Sequence, residues 1–225
     1  MLALVSAAIT TDAAASLAAE RSWELRQVGL VVGVVGFGWT GQAVARRFAG
    51  LVREVHVADP AVPPDVIKDR GYCAATLDEL LSVADVVTIH ARSSATVIGP
   101  DELRRMKRGG ILINTARATV LDYGALQLAL DSGHLRAAAL DVFPEEPLPS
   151  SSPLRTQRNL TLTPHLAGSA ADVVGRQSEI LLAAVRGLYD AGNGDGSWSR
   201  LPIRNPEVYR RWTAAAGPGQ TGAGR

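Results

Sequence analysis

Residues 28–59 read VGLVVGVVGFGWTGQAVARRFAGLVREVHVAD, and three segments within them differ in character. Val28–Val35 is a valine-rich run, the pattern of a strand buried on both faces. It ends in Gly36-Phe37-Gly38-Trp39-Thr40-Gly41. Gly41–Phe48 then has helical spacing, with Ala43, Val44, Ala45 and Phe48 available for packing. Glu54–Ala58 is a second short strand that closes on Asp59-Pro60. Strand, glycine turn, helix and strand make a βαβ unit, whose crossover is expected to be right-handed.

Each glycine of that turn has a physical reading. Gly36 allows the tight turn, Gly38 lets the backbone approach a pyrophosphate, and Gly41 lets helix and strand pack closely. The helix start, around Trp39 and Thr40, offers N–H groups and partial positive charge to phosphates. Asp59 stands 18 residues after Gly41 at a strand end, where a carboxylate accepts from ribose hydroxyls and repels a 2′-phosphate. NAD rather than NADP is therefore the expected cofactor. The competing reading is that the glycines serve only a turn and Asp59 only a strand stop.

Outward from this unit the alternation continues. Thr76 begins a capping box with Glu79 for a helix through Leu77, Leu80 and Leu81. Asp85–His90 reads as a strand, Pro100–Met106 as a short helix and Ile111–Asn114 as a strand. Asp122 caps a helix through Leu130 that stops near Gly133. Ala137–Val142 and Leu160–Leu162 supply two further strands, and a long helix is expected from about Ser169 to Ala191. The fold class is α/β, a Rossmann-type doubly wound parallel sheet forming a single domain with an N-terminal linker helix. Domain limits follow as 1–24 for the linker, 25–191 for the dinucleotide-binding domain and 192–225 for an extension, disordered from about 214.

Composition narrows the function classes. The 225 residues carry 23 Lys+Arg against 22 Asp+Glu, so no field favours nucleic acid or an anionic membrane. Cys73 is the only cysteine, which excludes an internal disulfide framework and a cysteine metal cluster; no metal is expected, and a reducing, cytoplasmic location fits. Met1–Ala19 is apolar but lacks a basic start and is interrupted by Thr10, Thr11 and Asp12, so it reads as a helix rather than a signal peptide.

Three residues beyond strand ends form a candidate reaction site. Arg117 follows the strand Ile111–Asn114, Glu146 lies in Phe143-Pro144-Glu145-Glu146-Pro147, and His165 follows Leu160–Leu162. Ligands of open parallel sheets bind in that crevice. Arg117 can hold a carboxylate through two parallel hydrogen bonds. His165 can exchange a hydroxyl proton while hydride moves. Glu146, if adjacent, favours the imidazolium. The residue types alone also suit a structural histidine and solvated surface charges.

The stretch Ile111–Arg117 (ILINTAR), then Leu135–Pro147 (LRAAALDVFPEEP), then Leu160–Gly168 (LTLTPHLAG) resembles, in order and spacing, the signature blocks of the D-isomer-specific 2-hydroxyacid dehydrogenases. With the glycine turn the resemblance spans about residues 25–190. It implies hydride transfer between NAD(H) and a small-molecule 2-hydroxy or 2-keto acid. By position it makes Arg117 the carboxylate-binding arginine, His165 the catalytic histidine and Glu146 its partner. Asp141 matches an aspartate that contacts the cofactor near its nicotinamide end, and Thr115, Ala116, Leu166, Ala167 and Gly168 match cofactor-lining backbone. Glu146 argues against the formate dehydrogenase branch, which has an amide there.

Departures are Ala118 where the family has glycine, a shorter stretch between His90 and Met106, and Arg92 in place of proline. His90 reads as a strand end without a chemical role. The resemblance also implies a homodimer through the NAD-binding domain. Met1–Ala19 resembles the family's inter-domain helix, so about one domain of the usual length is expected to be absent. The alternative function is accordingly an NAD-binding module with little or no turnover, a binding or regulatory protein.

Overall fold

The computed structural model describes residues 29–168 continuously and eight positions between 175 and 186, all of them helical. The expected N-terminal helix, most of the expected 169–191 helix and the C-terminal extension lie outside the described residues. The chain divides into two compact units, residues 1–167 and 168–225; the elements below belong to the first.

Seven strands form one sheet: β1 Val31–Val35, β2 Glu54–Ala58, β3 Cys73–Ala74, β4 Val86–Ile89, β5 Gly110–Asn114, β6 Leu135–Leu140 and β7 Leu160–Leu162. Their order is β3-β2-β1-β4-β5-β6-β7, with every pairing parallel. Among the described residues of this unit the α-helices are α1 Trp39–Phe48, α2 Pro64–Lys68, α3 Leu77–Val83, α4 Pro100–Arg105 and α5 Tyr123–Asp131. The winding reverses between β1 and β4, and that switch point opens a crevice at the carboxyl ends of the strands.

The valine run explains the layering, because alternate residues of a strand point to opposite faces. Val32 and Val34 join Val44, Ala45, Phe48 and Ile67 on one side, where α1 and α2 pack. Val31 and Val35 join Leu80, Leu81, Leu103, Leu126 and Leu130 on the other, under α3, α4 and α5. All five residues of β1 are buried, and each such aliphatic side chain stabilises the fold by about 1.5–3 kcal/mol.

Local signals act where the sequence places them. Thr76 Oγ1 accepts from Glu79 N at 3.3 Å while Glu79 Oε2 accepts from Thr76 N at 2.8 Å, the reciprocal box expected. Asp122 caps α5 by accepting from Ala125 N at 2.9 Å. Boundaries move modestly. β1 begins at Val31 rather than Val28, since its ladder starts with Val31 opposite Glu54. Helix α1 begins at Trp39 rather than Gly41. β6 is shifted to Leu135–Leu140 by an irregularity of register opposite Gly110 and Ile111. α2 and β3 have no counterpart in the sequence reading; five and two residues are too short to show a period.

Candidate active site

The turn after β1 separates what the fold demands from what it leaves open. Gly36 has φ +92°, and a Cβ there would lie 2.5 Å from Ala91 N. A Cβ on Gly41 would lie 1.9 Å from the Gly36 carbonyl oxygen. Gly38 is different: its φ is −69°, which any residue adopts, and its Cβ would meet no atom of the described residues within 4 Å. Two of the three glycines are thus required for packing, and the third faces a cradle that the fold does not fill.

Helix α1 opens onto that cradle. Gly38 provides no side-chain cap, and no acidic residue lies in the first turn. The first intrahelical bond runs from Gln42 N to Gly38 O at 2.9 Å. The N–H groups of Trp39, Thr40 and Gly41 precede it, at the positive end of the helix dipole. Trp39 is 93% exposed at this lip. Asp59, beyond β2, is tied into the same turn: Oδ2 accepts from Phe37 N at 2.7 Å and Oδ1 from Ala61 N at 2.9 Å. Each carboxylate oxygen keeps a second acceptor direction. This donor set and cradle fit the pyrophosphate and adenosine ribose of a dinucleotide.

At the other end of the same edge, β5, β6 and β7 deliver their loops side by side. Asn114 ends β5 fully buried; its Oδ1 accepts from Ala116 N and its Nδ2 donates to Arg117 O, both at 3.0 Å. This clamp sets the course of the Thr115–Arg117 loop and leaves the Arg117 side chain exposed, with Nη1 donating to Ala116 O at 2.6 Å.

After β6, Glu146 is held from two sides. Oε1 accepts from Phe143 N at 2.9 Å, and Oε2 contacts His165 Nδ1 at 2.7 Å. The hydrogen bond from His165 does most to hold the Glu146 carboxyl below its ordinary range, followed by the Phe143 amide and then by the charges of His165 and Arg117. An ionised carboxylate only accepts, so Nδ1 carries the proton and donates. His165 and Glu146 side chains are 50% and 36% exposed. A cavity of about 440 Å³ opens beside them, lined in part by Phe143, Leu148, Arg155 and Leu162, within the size range of small-molecule sites.

Asp141 has a structural role that residue spacing does not reveal. It is 1% exposed, and its carboxylate accepts from Thr163 Oγ1, from Leu166 N at 2.8 Å and from Ala167 N at 2.8 Å. These partners flank His165 on both sides. His165 itself has φ +54°, a left-handed conformation costing a non-glycine residue about 1–2 kcal/mol. A buried carboxylate gripping the loop on both sides offsets that cost and fixes the imidazole against Glu146.

The sequence reading thus names the partners Glu146 and His165, which are in contact, and Arg117, which is near enough for its charge to act on Glu146. It gives no role to Asn114 or Thr163. The available signal is a buried polar residue at a strand end, which must find partners. Gly168 opens the second compact unit.

A doubly wound parallel sheet with a glycine turn opening a helix at its switch point, and a histidine–carboxylate pair along the same edge, is the architecture of a Rossmann-type dinucleotide-binding domain. Residues 5–167 match the family model described as D-isomer specific 2-hydroxyacid dehydrogenase, NAD binding domain, and the chain belongs to that family. It is 38% identical over 156 residues to a glyoxylate reductase of Korarchaeum cryptofilum, covering 68% of this chain and 47% of that protein. It is 36% identical over 191 residues to the chloroplastic D-3-phosphoglycerate dehydrogenase 2 of Arabidopsis thaliana, covering 83% and 30%. Among solved structures it resembles the TT0316 protein of Thermus thermophilus with TM-score 0.67 and 33% identity, over 84% of this chain and 63% of that one. D-lactate dehydrogenase with NAD+ from Lactobacillus jensenii gives TM-score 0.64 and 28% identity, over 72% and 53%. The chain spans about half or less of the length of these curated relatives.

Proposed function

We propose that this chain binds NAD(H) along the carboxyl edge of its sheet and takes part in interconverting a 2-hydroxy acid and a 2-keto acid. The observation that carries the proposal is the 2.7 Å contact of His165 Nδ1 with Glu146, on the same edge as the glycine cradle. The adenosine ribose would meet Asp59, and the pyrophosphate would meet Gly36–Gly41, with Trp39 and Thr40 at the helix start. Backbone at Thr115, Ala116, Leu166 and Ala167, together with Asp141, would line the nicotinamide end.

NAD+, when bound, supplies the hydride acceptor. Arg117 holds the substrate carboxylate by a two-point hydrogen bond. His165, with Nδ1 committed to Glu146, takes the hydroxyl proton through Nε2 and returns it in the reverse direction. Glu146 fixes the tautomer and stabilises the imidazolium that forms. Asp59 disfavours a 2′-phosphate, so NADH should bind more tightly than NADPH; equal affinities in a fluorescence titration would remove that role. The turnover test is oxidation of short 2-hydroxy acids. Activity abolished by His165→Ala with NADH binding retained supports the assignment, and activity surviving the substitution refutes it.

A second reading, an NAD-binding module with little turnover, is favoured by the exposure of the pair, 50% for His165 and 36% for Glu146. Hydride transfer profits from a water-excluded cleft. Binding of NADH without turnover of any 2-hydroxy acid would select it. The family resemblance and the lone cysteine, Cys73, support a homodimer through this domain in the cytoplasm. A monomer in light scattering, or a membrane-fraction location, would count against these two points.

A further inference from the structure

We propose that Glu54, His56 and Cys73 form a zinc site on the outer strands of the sheet, remote from the dinucleotide crevice. The three offer a carboxylate oxygen, an imidazole nitrogen and a thiol sulfur, all within 4.8 Å of one another. Among the described residues this is the one cluster of that kind. The sequence alone predicts no metal, because a single cysteine cannot build a thiolate cluster. A mixed donor set is invisible at that level, since β3 is too short to foresee.

The backbone explains the convergence. Glu54 and His56 are two residues apart on β2, so their side chains share a face. Cys73 opens β3, and its register partner across the parallel pair is His56. Val55 and Val57, on the opposite face, are buried in the core and fix the orientation of the strand. The His56 side chain is only 18% exposed, so its ring is held by its surroundings, while Glu54 and Cys73 reach it from the rim.

The distances suit a small divalent ion. Bonds to zinc of about 2.0–2.3 Å in tetrahedral geometry put neighbouring donors roughly 3.3–3.6 Å apart. His56 Nε2 and Glu54 Oε2 already stand 3.0 Å apart. Closing the set takes an adjustment of the exposed Cys73 side chain on the order of 1 Å. Arg53 lies 3.9 Å from the other carboxylate oxygen, Oε1, which leaves Oε2 to the site.

Donor chemistry selects the ion. Thiolate with imidazole and carboxylate suits zinc among first-row divalent ions, whereas calcium and magnesium need oxygen ligands throughout. Thiolate and carboxylate charges balance the ion, and water completes the fourth position. Binding releases the Cys73 thiol proton to solvent, so affinity increases with pH. The cluster occupies the amino-terminal part of β2, three residues before Asp59, or roughly 10 Å along the strand. Zinc and dinucleotide should therefore bind independently.

The test is titration of the full, chelator-treated chain with Co²⁺ and then Zn²⁺. One Co²⁺ per chain is expected, with the near-ultraviolet charge-transfer band of a cobalt–thiolate bond and the visible absorption of tetrahedral cobalt, both displaced by Zn²⁺. Loss of partners outside the coordination shell already weakens metal sites 10- to 100-fold, so Cys73→Ser and His56→Gln should each weaken Zn²⁺ at least about tenfold. Cys73→Ser should also remove the charge-transfer band, while His134→Gln changes neither. In the parent protein, Zn²⁺ should slow modification of Cys73 by a thiol reagent, a readout that depends on no variant folding. Absence of the charge-transfer band, or unprotected Cys73 at saturating Zn²⁺, overturns the proposal.

Discussion

Replacing each glycine of the turn by alanine, one at a time, separates cofactor recognition from folding. At Gly41 the added Cβ would sit 1.9 Å from the Gly36 carbonyl oxygen, and at Gly36 it would sit 2.5 Å from Ala91 N with φ at +92°. Both neighbours are backbone, so neither site can relax by moving a side chain. Gly41→Ala must push α1 away from β1, at the upper end of the overpacking range or about 3 kcal/mol. Gly36→Ala adds a left-handed strain of about 1–3 kcal/mol to its clash. Gly38→Ala meets no atom of the described residues within 4 Å, at an ordinary φ of −69°. Alanine is a poorer N-cap than glycine, but it restricts the unfolded chain; these effects oppose each other, and stability should change by no more than about 0.5 kcal/mol.

Binding should show the reverse order. A methyl projecting into the cradle crowds a pyrophosphate by about 1–3 kcal/mol, which is a loss of roughly 5- to 150-fold in NADH affinity. Thermal unfolding by circular dichroism gives the first quantity, and titration of NADH fluorescence gives the second. Gly38→Ala should melt with the parent and bind NADH weakly. If it melts with the parent and binds within twofold of it, no phosphate occupies the cradle, and the dinucleotide assignment of the turn fails.

Asp141→Asn should place an amide NH₂ against one of the loop N–H groups, leaving a buried donor unsatisfied at about 1–3 kcal/mol. Amide exchange at Leu166 and Ala167 should then quicken by about tenfold or more; unchanged protection would deny Asp141 its hold on the His165 loop. His90 is largely buried, with its pKa pushed down by burial to about 4 from 6.5. The unfolded chain takes that proton first, so stability should fall as pH drops from 6.5 to about 4; His90→Gln should flatten this limb, and an unaltered limb would refute the assignment. Glu146 is held below its ordinary 4.5, so its contribution is present above that pH and is lost as pH falls through the lowered value. Glu146→Gln should reduce Tm at neutral pH and approach the parent in strong acid; a pH-independent difference would show that the ionised contact with His165 contributes nothing.

The fold was legible because its decisive elements are periodic and punctuated. A buried valine run, a glycine turn and a helical apolar face cannot easily be read in another register, and a reciprocal cap at Thr76 and a one-way cap at Asp122 mark two later helices. What escaped was either too short or settled by tertiary pairing. β3 consists of Cys73 and Ala74 and exists because β2 offers them a free edge. The start of β6 at Leu135 depends on an irregularity opposite Gly110, two strands' joint property that neither sequence displays alone.

For the site, it was the resemblance of the signature blocks, and not spacing, that pointed to Arg117, Glu146 and His165, and it did not reveal what holds their loops. Their residue types alone suit a structural histidine and solvated charges as well, so the three stand out only through that resemblance. Asn114 and Asp141 are buried polar groups, and their sequence neighbours do not name their partners. The structure gives both the same task, satisfying backbone N–H or C=O groups of a loop that bears a candidate site residue. Such loops run beyond the last ladder bond, where parallel pairing no longer supplies partners, so a short buried side chain must replace it. Asn114 suits the arginine loop, which needs one donor and one acceptor; Asp141 suits the histidine loop, where all three groups are donors. Exchanging the two types would therefore leave each loop with a mismatched group, which is why amide and carboxylate are not interchangeable at these strand ends.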